Sequence, residues 1–490
     1  MPAQYGNRAA DDITAIVPDE IGVDEESALS PGKVHAEKRA QAGAESGDSG
    51  DKEFYPLWKL TLVALPQLGV QVMWCFIGPN AAPYMNHLGV SPSLATLNNV
   101  AGPITGFFTG PIIGAWSDRL TSKWGRRRPI ILGGLISTWI AGMLFSASEH
   151  LFADTTAKIG FAVPMYWVMD VTINILQTPH RALVADLASV EQQVPMQVVF
   201  VVIMAIGNFL GYSIMQIYKV PVEHMLQLMA LICAINTACI LVQFAVAKEV
   251  PLKRAENAAK GACAPVLGVL SSVRGMPCLL YHLAVVQCLV WTGNTAWTYY
   301  SSQWFADSVF QGDQHAPEGS EAKLRYGEGM HAFSMGGQMR SGFQLLAALS
   351  IIVLLLKTSL RPRLIYAPCI FVGAIVSFLA GYIVGHNSAF AIIIFIFSIM
   401  PETGSFAIPF GLVATLNKRA EQEGKQVSTA LQMALLNCCV TVGQQLCHVV
   451  TASIETRMPL ETALPVAFLF AAGAPWVRSY DGCIGFWQRS

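Results

Sequence analysis

Charge is what this sequence has little of. Lys, Arg, Asp and Glu make up 13% of its 490 residues, about half the share of an ordinary soluble domain. Hydrophobic residues make up 53%. A soluble core of this length cannot hide so much apolar surface, so lipid is the solvent that fits. The net charge of -1 leaves no basic excess for nucleic acid. Residues 1–53 are polar and acidic, with no apolar stretch after the start. They predict no cleavable leader and read as a disordered cytosolic tail. Asn-x-Ser/Thr triplets are absent, so glycosylation gives no hint of a surface location. The eleven cysteines lack an ordered ligand spacing, and most lie inside apolar runs, where Cys behaves as a small hydrophobe. Cys438, Cys439, Cys447 and His448 therefore read as membrane residues rather than metal ligands. No phosphate loop, nucleophile arrangement or metal spacing points to an enzyme or to a bound cofactor.

What is there is a series of apolar runs near twenty residues, the length that crosses a bilayer. They fall at 60–82, 94–116, 129–147, 159–178, 195–218 and 226–247, then at 276–300, 330–356, 364–385, 389–416, 429–451 and 460–476. The last is short, with Glu461 near its start, and reads as an incomplete span. With the N-terminus inside, the inner loops hold sixteen Lys and Arg and the outer loops five. That asymmetry fits both ends on the cytosolic side. The expectation is an all-α membrane protein of twelve transmembrane helices in two six-helix bundles. The bundles occupy residues 54–247 and 276–477, with a cytosolic linker at 248–275 and a cytosolic tail at 478–490.

The loop after the second span reads GAWSDRLTSKWGRRRP from Gly114 to Pro129. Gly125 permits a tight turn. Arg119, Arg126 and Arg127 suit a cytosolic surface facing anionic lipid and helix C-termini. Asp118 is the acid available to dock on a helix N-terminus or a basic side chain and latch the inner face. The loop as a whole resembles the signature between the second and third helices of the major facilitator superfamily.

Further motifs narrow the resemblance. Gly69, Gln71 and Trp74 stand in the first span, and Gly102-Pro103-Ile104 in the second. The fourth span reads WVMDVTINILQTPHRALVAD from Trp167 to Asp186, and the fifth AIGNFLGY from Ala205 to Tyr212. Ile408-Pro409-Phe410 follows in the tenth, and Leu436, Asn437 and Gln444 in the eleventh. Together these resemble the sucrose/proton symporter family, of the glycoside-pentoside-hexuronide type, which includes plant sucrose carriers and animal proton-associated sugar transporters. The resemblance runs over residues 60–451 and is closest in the first half. It implies sugar uptake driven by protons through alternating access, with no cofactor. The sugar and the bilayer are the implied partners, and the plasma membrane is the expected location. Three positions depart from the family. Ser301-Ser302-Gln303 precedes Trp304 where the family has an acidic pair, Ser91-Pro92-Ser93 stands where it has a loop histidine, and His331 replaces an arginine. A transporter of another solute, or a sugar-sensing receptor without turnover, are the alternatives these departures leave open.

Asp170 lies near the middle of its apolar span. A carboxylate there costs about 2.5–3.5 kcal/mol on insertion scales, so it is a functional residue by default. An apolar surrounding favours its taking up a proton, and the resemblance implies the same coupling role. Gln71, Trp74, Asn174, Gln177, Asn437 and Gln444 supply amides and an aromatic face that suit sugar hydroxyls and the apolar sugar ring. Arg181 lies eleven residues past Asp170, about 16 Å along a continuous helix. It reads either as a substrate residue, as the resemblance implies, or as the partner of Asp186. Arg340 and Glu402 are charges at similar depth in two spans that the superfamily fold makes neighbours. Either alone is costly in the membrane, which predicts a buried ion pair.

Overall fold

The protein is described here by a computed structural model over residues 55–188, 192–249, 278–358, 360, 362–382, 387–422, 429–459 and 462–468. The predicted tails at 1–53 and 478–490, and the linker beyond residue 249, lie outside the described residues. The secondary structure described is helical. In chain order the helices are α1 (Leu57–Ala64), α2 (Pro66–His87), α3 (Pro92–Asn98), α4 (Ala101–Arg119), α5 (Arg128–Leu151), α6 (Thr155–Leu187), α7 (Gln193–Met215) and α8 (Met225–Val246). There follow α9 (Cys278–Tyr299), α10 (Glu321–Lys357), α11 (Pro362–Tyr382), α12 (Ser388–Phe397), α13 (Met400–Gln422) and α14 (Thr429–Glu455). Residues 462–468 of the twelfth predicted span are also helical.

Among the described residues seven helices are long and apolar enough to cross a membrane, at 57–87, 128–151, 155–187, 221–246, 321–355, 362–382 and 388–409. The chain is an integral, multi-pass membrane protein. α4 and α14 are richer in Gly, Thr and Gln, and their lower hydropathy follows from that. Two predicted spans are broken. The first is interrupted at Leu65, just before Pro66 at the first turn of α2. The tenth turns at Ser398 and Ile399, where α12 ends and α13 begins. Prolines lack the amide proton that continues a helix, and Pro401 stands one residue inside α13.

Small residues set the helix spacing, as in other membrane bundles. A Cβ on Gly134 of α5 would lie 2.8 Å from the backbone of Leu176 in α6, and one on Gly443 of α14 would lie 2.1 Å from the carbonyl oxygen of Cys288 in α9. The helices up to α8 pack on one another, as do those from α9 onward, and the two groups meet chiefly where α7 lies against α10 and α14 against α3 and α4. Several hydrogen bonds stitch that seam at the end carrying the predicted outer loops. Ser302 Oγ donates to the carbonyl of Pro79 at 2.6 Å, Gln314 Nε2 to that of Pro83 at 3.1 Å, and Gln445 Nε2 to that of Val100 at 2.9 Å. Lys323 reaches Glu223 at 2.8 Å on the same side. The outer side is thus closed.

At the inner end, the loop between α4 and α5 is tied down by an acid that the sequence reading left in the linker. Glu249 accepts from the backbone amides of Arg126 at 2.8 Å, Arg127 at 2.7 Å and Arg128 at 3.3 Å. A carboxylate at a helix N-terminus satisfies open amides and meets the helix dipole. Asp118, expected for this docking role, ends α4, but its side chain and that of Arg119 lie outside the described ones. Arg126 and Arg127 both reach Asp186 at the end of α6, at 2.8 Å and 3.0 Å. Arg127 also donates to Ser117. Gly125 has φ +100°, and a Cβ there would lie 2.2 Å from Glu249 Oε2.

Arg340 of α10 places Nη2 3.2 Å from Glu402 Oε2 of α13. The residues are only 5% and 8% exposed. Arg340 Nε donates to Ser398 Oγ at 3.1 Å, in the turn between α12 and α13, and the guanidinium lies over the Phe395 ring at 5.3 Å. One arginine therefore fixes the break in the tenth predicted span.

Two stability outcomes follow, each read by thermal melting of the detergent-purified chain. Gly125→Ala forces a left-handed backbone and a clash with Glu249, and is expected to cost about 1–3 kcal/mol; an unchanged melting temperature would show that the loop needs neither. Arg340→Gln or Glu402→Gln alone leaves a buried charge unpaired, at about 3–5 kcal/mol, whereas the double variant is expected to be milder than either sum. Strictly additive losses would mean the two charges do not support each other.

Candidate functional site

The site grows from one face of α6. Asp170, Asn174 and Thr178 follow at four-residue steps and so point the same way. α4 meets that face with Gly102, Gly106, Gly110 and Gly114, also at four-residue steps. Cβ atoms built on them would lie 3.4 Å from Asp170 Oδ1, 3.7 Å from Asn174 Oδ1, and 3.8 Å from the Thr178 side chain at both Gly110 and Gly114. The glycine stripe thus lets a helix backbone lie directly on a polar ridge. Larger side chains would fill the space that the carboxyl and amide occupy.

Asp170 is 1% exposed. Its Oδ2 accepts from the hydroxyl of Thr105 and, at 3.3 Å, from Asn174 Nδ2. The same Asn174 amide lies 2.9 Å from the Asp170 carbonyl and 3.3 Å from Thr105 Oγ1. Hydroxyl and amide partners hold the carboxyl in place, with no paired cation among the described residues. Oδ1 faces the hollow over Gly102, where a Cβ would also stand 3.5 Å from the Tyr299 hydroxyl of α9. The carboxyl therefore sits where the two halves of the chain meet.

The polar chain continues inward and sideways. Gln177 Nε2 donates to Asn174 Oδ1 at 2.6 Å, and Trp74 Nε1 donates to Gln177 Oε1 at 3.3 Å. Beside it, Gln71 Nε2 donates to Asn208 Oδ1 at 2.9 Å, and Asn208 Nδ2 donates to Gln344 Oε1 at 3.0 Å. That second chain runs from α2 through α7 to α10, so it links both halves. Arg181 donates from Nε to Gln67 Oε1 at 3.0 Å. Asp186 is taken by Arg126 and Arg127, which answers the pairing left open for it by the sequence.

Of the residues the sequence singled out, Gln71, Trp74, Asp170, Asn174 and Gln177 fall into these chains. Arg181 stands beside them at the inner end of α6. Asn437 is exposed on α14, and Gln444 is half-buried on the same helix; the structure brings neither to Asp170. Gly114, Gly125, Arg126 and Arg127 belong to the inner loop and its helix contacts. Further buried polar groups serve packing. Trp297 Nε1 donates to Ser377 Oγ at 2.8 Å among aromatic rings, and Asn80 Nδ2 donates to the Phe76 carbonyl at 2.8 Å. Thr105, Tyr299, Gln67, Gln344 and the glycine stripe were missed. The stripe is legible as a four-residue repeat; the others carry no local signal and enter only through tertiary contact.

Comparison with known proteins agrees with this architecture. The family model described as MFS/sugar transport protein matches residues 62–316. Sucrose transport protein SUT5 of Oryza sativa subsp. indica is 30% identical over 345 residues, covering 63% of this chain and 64% of its own length. The chain thus spans a little under two thirds of that relative. Sucrose transport protein SUC4 of Arabidopsis thaliana is 26% identical over 436 residues, covering 79% of this chain and 82% of its own. The human organic anion transporter MFSD10 (TETRAN) superposes with a TM-score of 0.57 at 16% identity, over 87% of this chain and 99% of that one. A D-xylose-proton symporter does so with 0.56 at 12% identity, over 86% and 98%. These superpositions establish the fold, and the matched half of the sequence establishes that the chain belongs to the MFS/sugar transport protein family.

Proposed function

We propose that this protein is a secondary active transporter that carries sucrose or a related sugar together with protons. Twelve spans in two six-helix bundles rock about a central site, in the plasma membrane. The observation that carries the reading is the Asp170 carboxyl. It is buried, held by Thr105 and Asn174, and turned toward the seam between the halves. A proton taken there neutralises the charge and lets the halves close over it. The amides of Gln71, Asn174, Gln177 and Asn208 and the indole of Trp74 offer donors, acceptors and a ring face suited to a sugar. Sucrose transport proteins among the relatives support the substrate class. The closed outer seam and the inner position of Arg181 fit an inward-facing stage of the cycle, with Arg181 beside the exit path.

In proteoliposomes under an inward proton gradient, labelled sucrose is expected to accumulate, with glucose and maltose as the comparison sugars. Asp170→Asn is expected to abolish accumulation. Gly102→Val, which intrudes between Asp170 and Tyr299, is expected to cut it at least about tenfold through misplacement of the reacting group. Folded wild type that accumulates none of the three sugars would overturn the assignment. Full accumulation by Asp170→Asn would remove Asp170 from the coupling role.

A further inference from the structure

Three buried groups across the seam from Asp170 have no role in the account so far. They are Tyr299 and Tyr300 at the end of α9 and His448 on α14. His448 is 0% exposed. Its Nδ1 is hydrogen-bonded to the Tyr300 hydroxyl. The Tyr299 ring stands edge-on to it, with centroids 4.8 Å apart and an interplanar angle of 88°. Its Nε2 is buried and has no hydrogen-bond partner. The hydroxyl of Tyr299 points the other way, to the hollow over Gly102 that Asp170 Oδ1 also faces. One tyrosine therefore lies against an imidazole of the second half and approaches the carboxyl of the first. His448 also shares a helix face with Asn437 and Gln444, by its spacing of eleven and four residues.

Among the described residues no counter-ion is in contact with this ring. Tyr299 and Tyr300 are the titratable groups of α9 beside it. Cys447 and Glu455 are those of its own helix, and Glu455 lies nearly two turns further out. The outer turns of α3 and α4 present Thr96, Asn99 and Val100, which do not titrate. Glu402, the charged residue among the described side chains of α13, is tied to Arg340. Asp170 and Tyr166 of α6 lie beyond Tyr299. A charged imidazole in this cage would be a buried cation without a partner, which is costly.

We propose that His448 is protonated from the outer solution while the seam is open, and that its charge keeps the seam from closing until the proton is released. The proposal rests on the transporter reading above. On release an N–H bond of the imidazolium breaks, water takes the proton, and the neutral imidazole that the closed arrangement holds is left. Closure with the proton still on the histidine is blocked by the burial cost.

The test reads the seam without any sugar. Ser302 is fully buried against Pro79, so Ser302→Cys reacts with a membrane-impermeant maleimide only when the outer side opens. The full chain in proteoliposomes, measured against the same chain without the added cysteine, is expected to label about tenfold faster as external pH falls from about 7.5 to about 5.5, through the ordinary imidazole range. His448→Gln keeps a polar partner for Tyr300 and is expected to flatten that response. A flat wild-type response, or a His448→Gln response equal to wild type, overturns the proposal. Should His448→Gln not fold, His448→Asn decides: it too lacks a side chain that charges in this range and should flatten the response, and equality with wild type overturns the proposal. Histidine-dependent labelling in a chain that accumulates no sucrose would instead refute the sugar reading and leave this one standing.

Discussion

Among the described residues no cation lies beside the carboxyl of Asp170, and its place in the membrane depends on a hydroxyl, an amide and a helix made of glycine on one face. Thr105 and Asn174 hold one oxygen. Gly102 keeps the other free of a covering side chain. Everything inward of that point is arranged to suit. Asn174 passes its own hydrogen bonding on to Gln177, and Gln177 to Trp74. The parallel chain through Gln71, Asn208 and Gln344 crosses from one half to the other, so a change of bundle position must break or remake it. On the proposed function the carboxyl is a group whose charge changes, placed on a seam whose contacts change, which is the minimum needed to couple a proton to a conformational step.

The two ends of the molecule are treated differently. At the outer end the halves are stitched together through backbone carbonyls, one of them freed by a proline. Pro83 frees the Pro79 carbonyl to take Ser302 as its partner. At the inner end the contacts lie within the first half. Glu249 caps α5, and Asp186 receives two arginines. That inner cluster ties α4, α5, α6 and the segment after α8 into one body, which can then move as a unit against the second half.

Much of this was legible in the sequence, because the membrane forces its pattern onto the chain. Apolar runs of bilayer length marked where the helices form, and Asp170 stood out as a charge that hydrocarbon does not tolerate without use. The juxtaposition of Arg340 and Glu402 followed from the same cost argument, with matched depth as its geometric premise. What failed were inferences needing a third dimension. Glu249 was read as part of the linker, yet it caps the start of α5, more than a hundred residues back in the chain. Ser398 and Ile399 carry no strong breaking signal, so the turn between α12 and α13 was read as continuous helix. Thr105 and Tyr299 are unremarkable residues in their own segments, and only the approach of α4 to α6 and of the Tyr299 hydroxyl to Gly102 brings them to the carboxyl.

The central claim is that sugar binding and protonation of Asp170 are one linked equilibrium. It is tested most directly by calorimetry of sucrose binding to the detergent-purified chain in two buffers of different ionisation enthalpy, over a series of pH values. The account predicts that the observed heat differs between the buffers by the enthalpy of protons taken up with the sugar, and that Asp170→Asn removes the difference. Sucrose binding with the same heat in both buffers, in the wild-type chain, would contradict it.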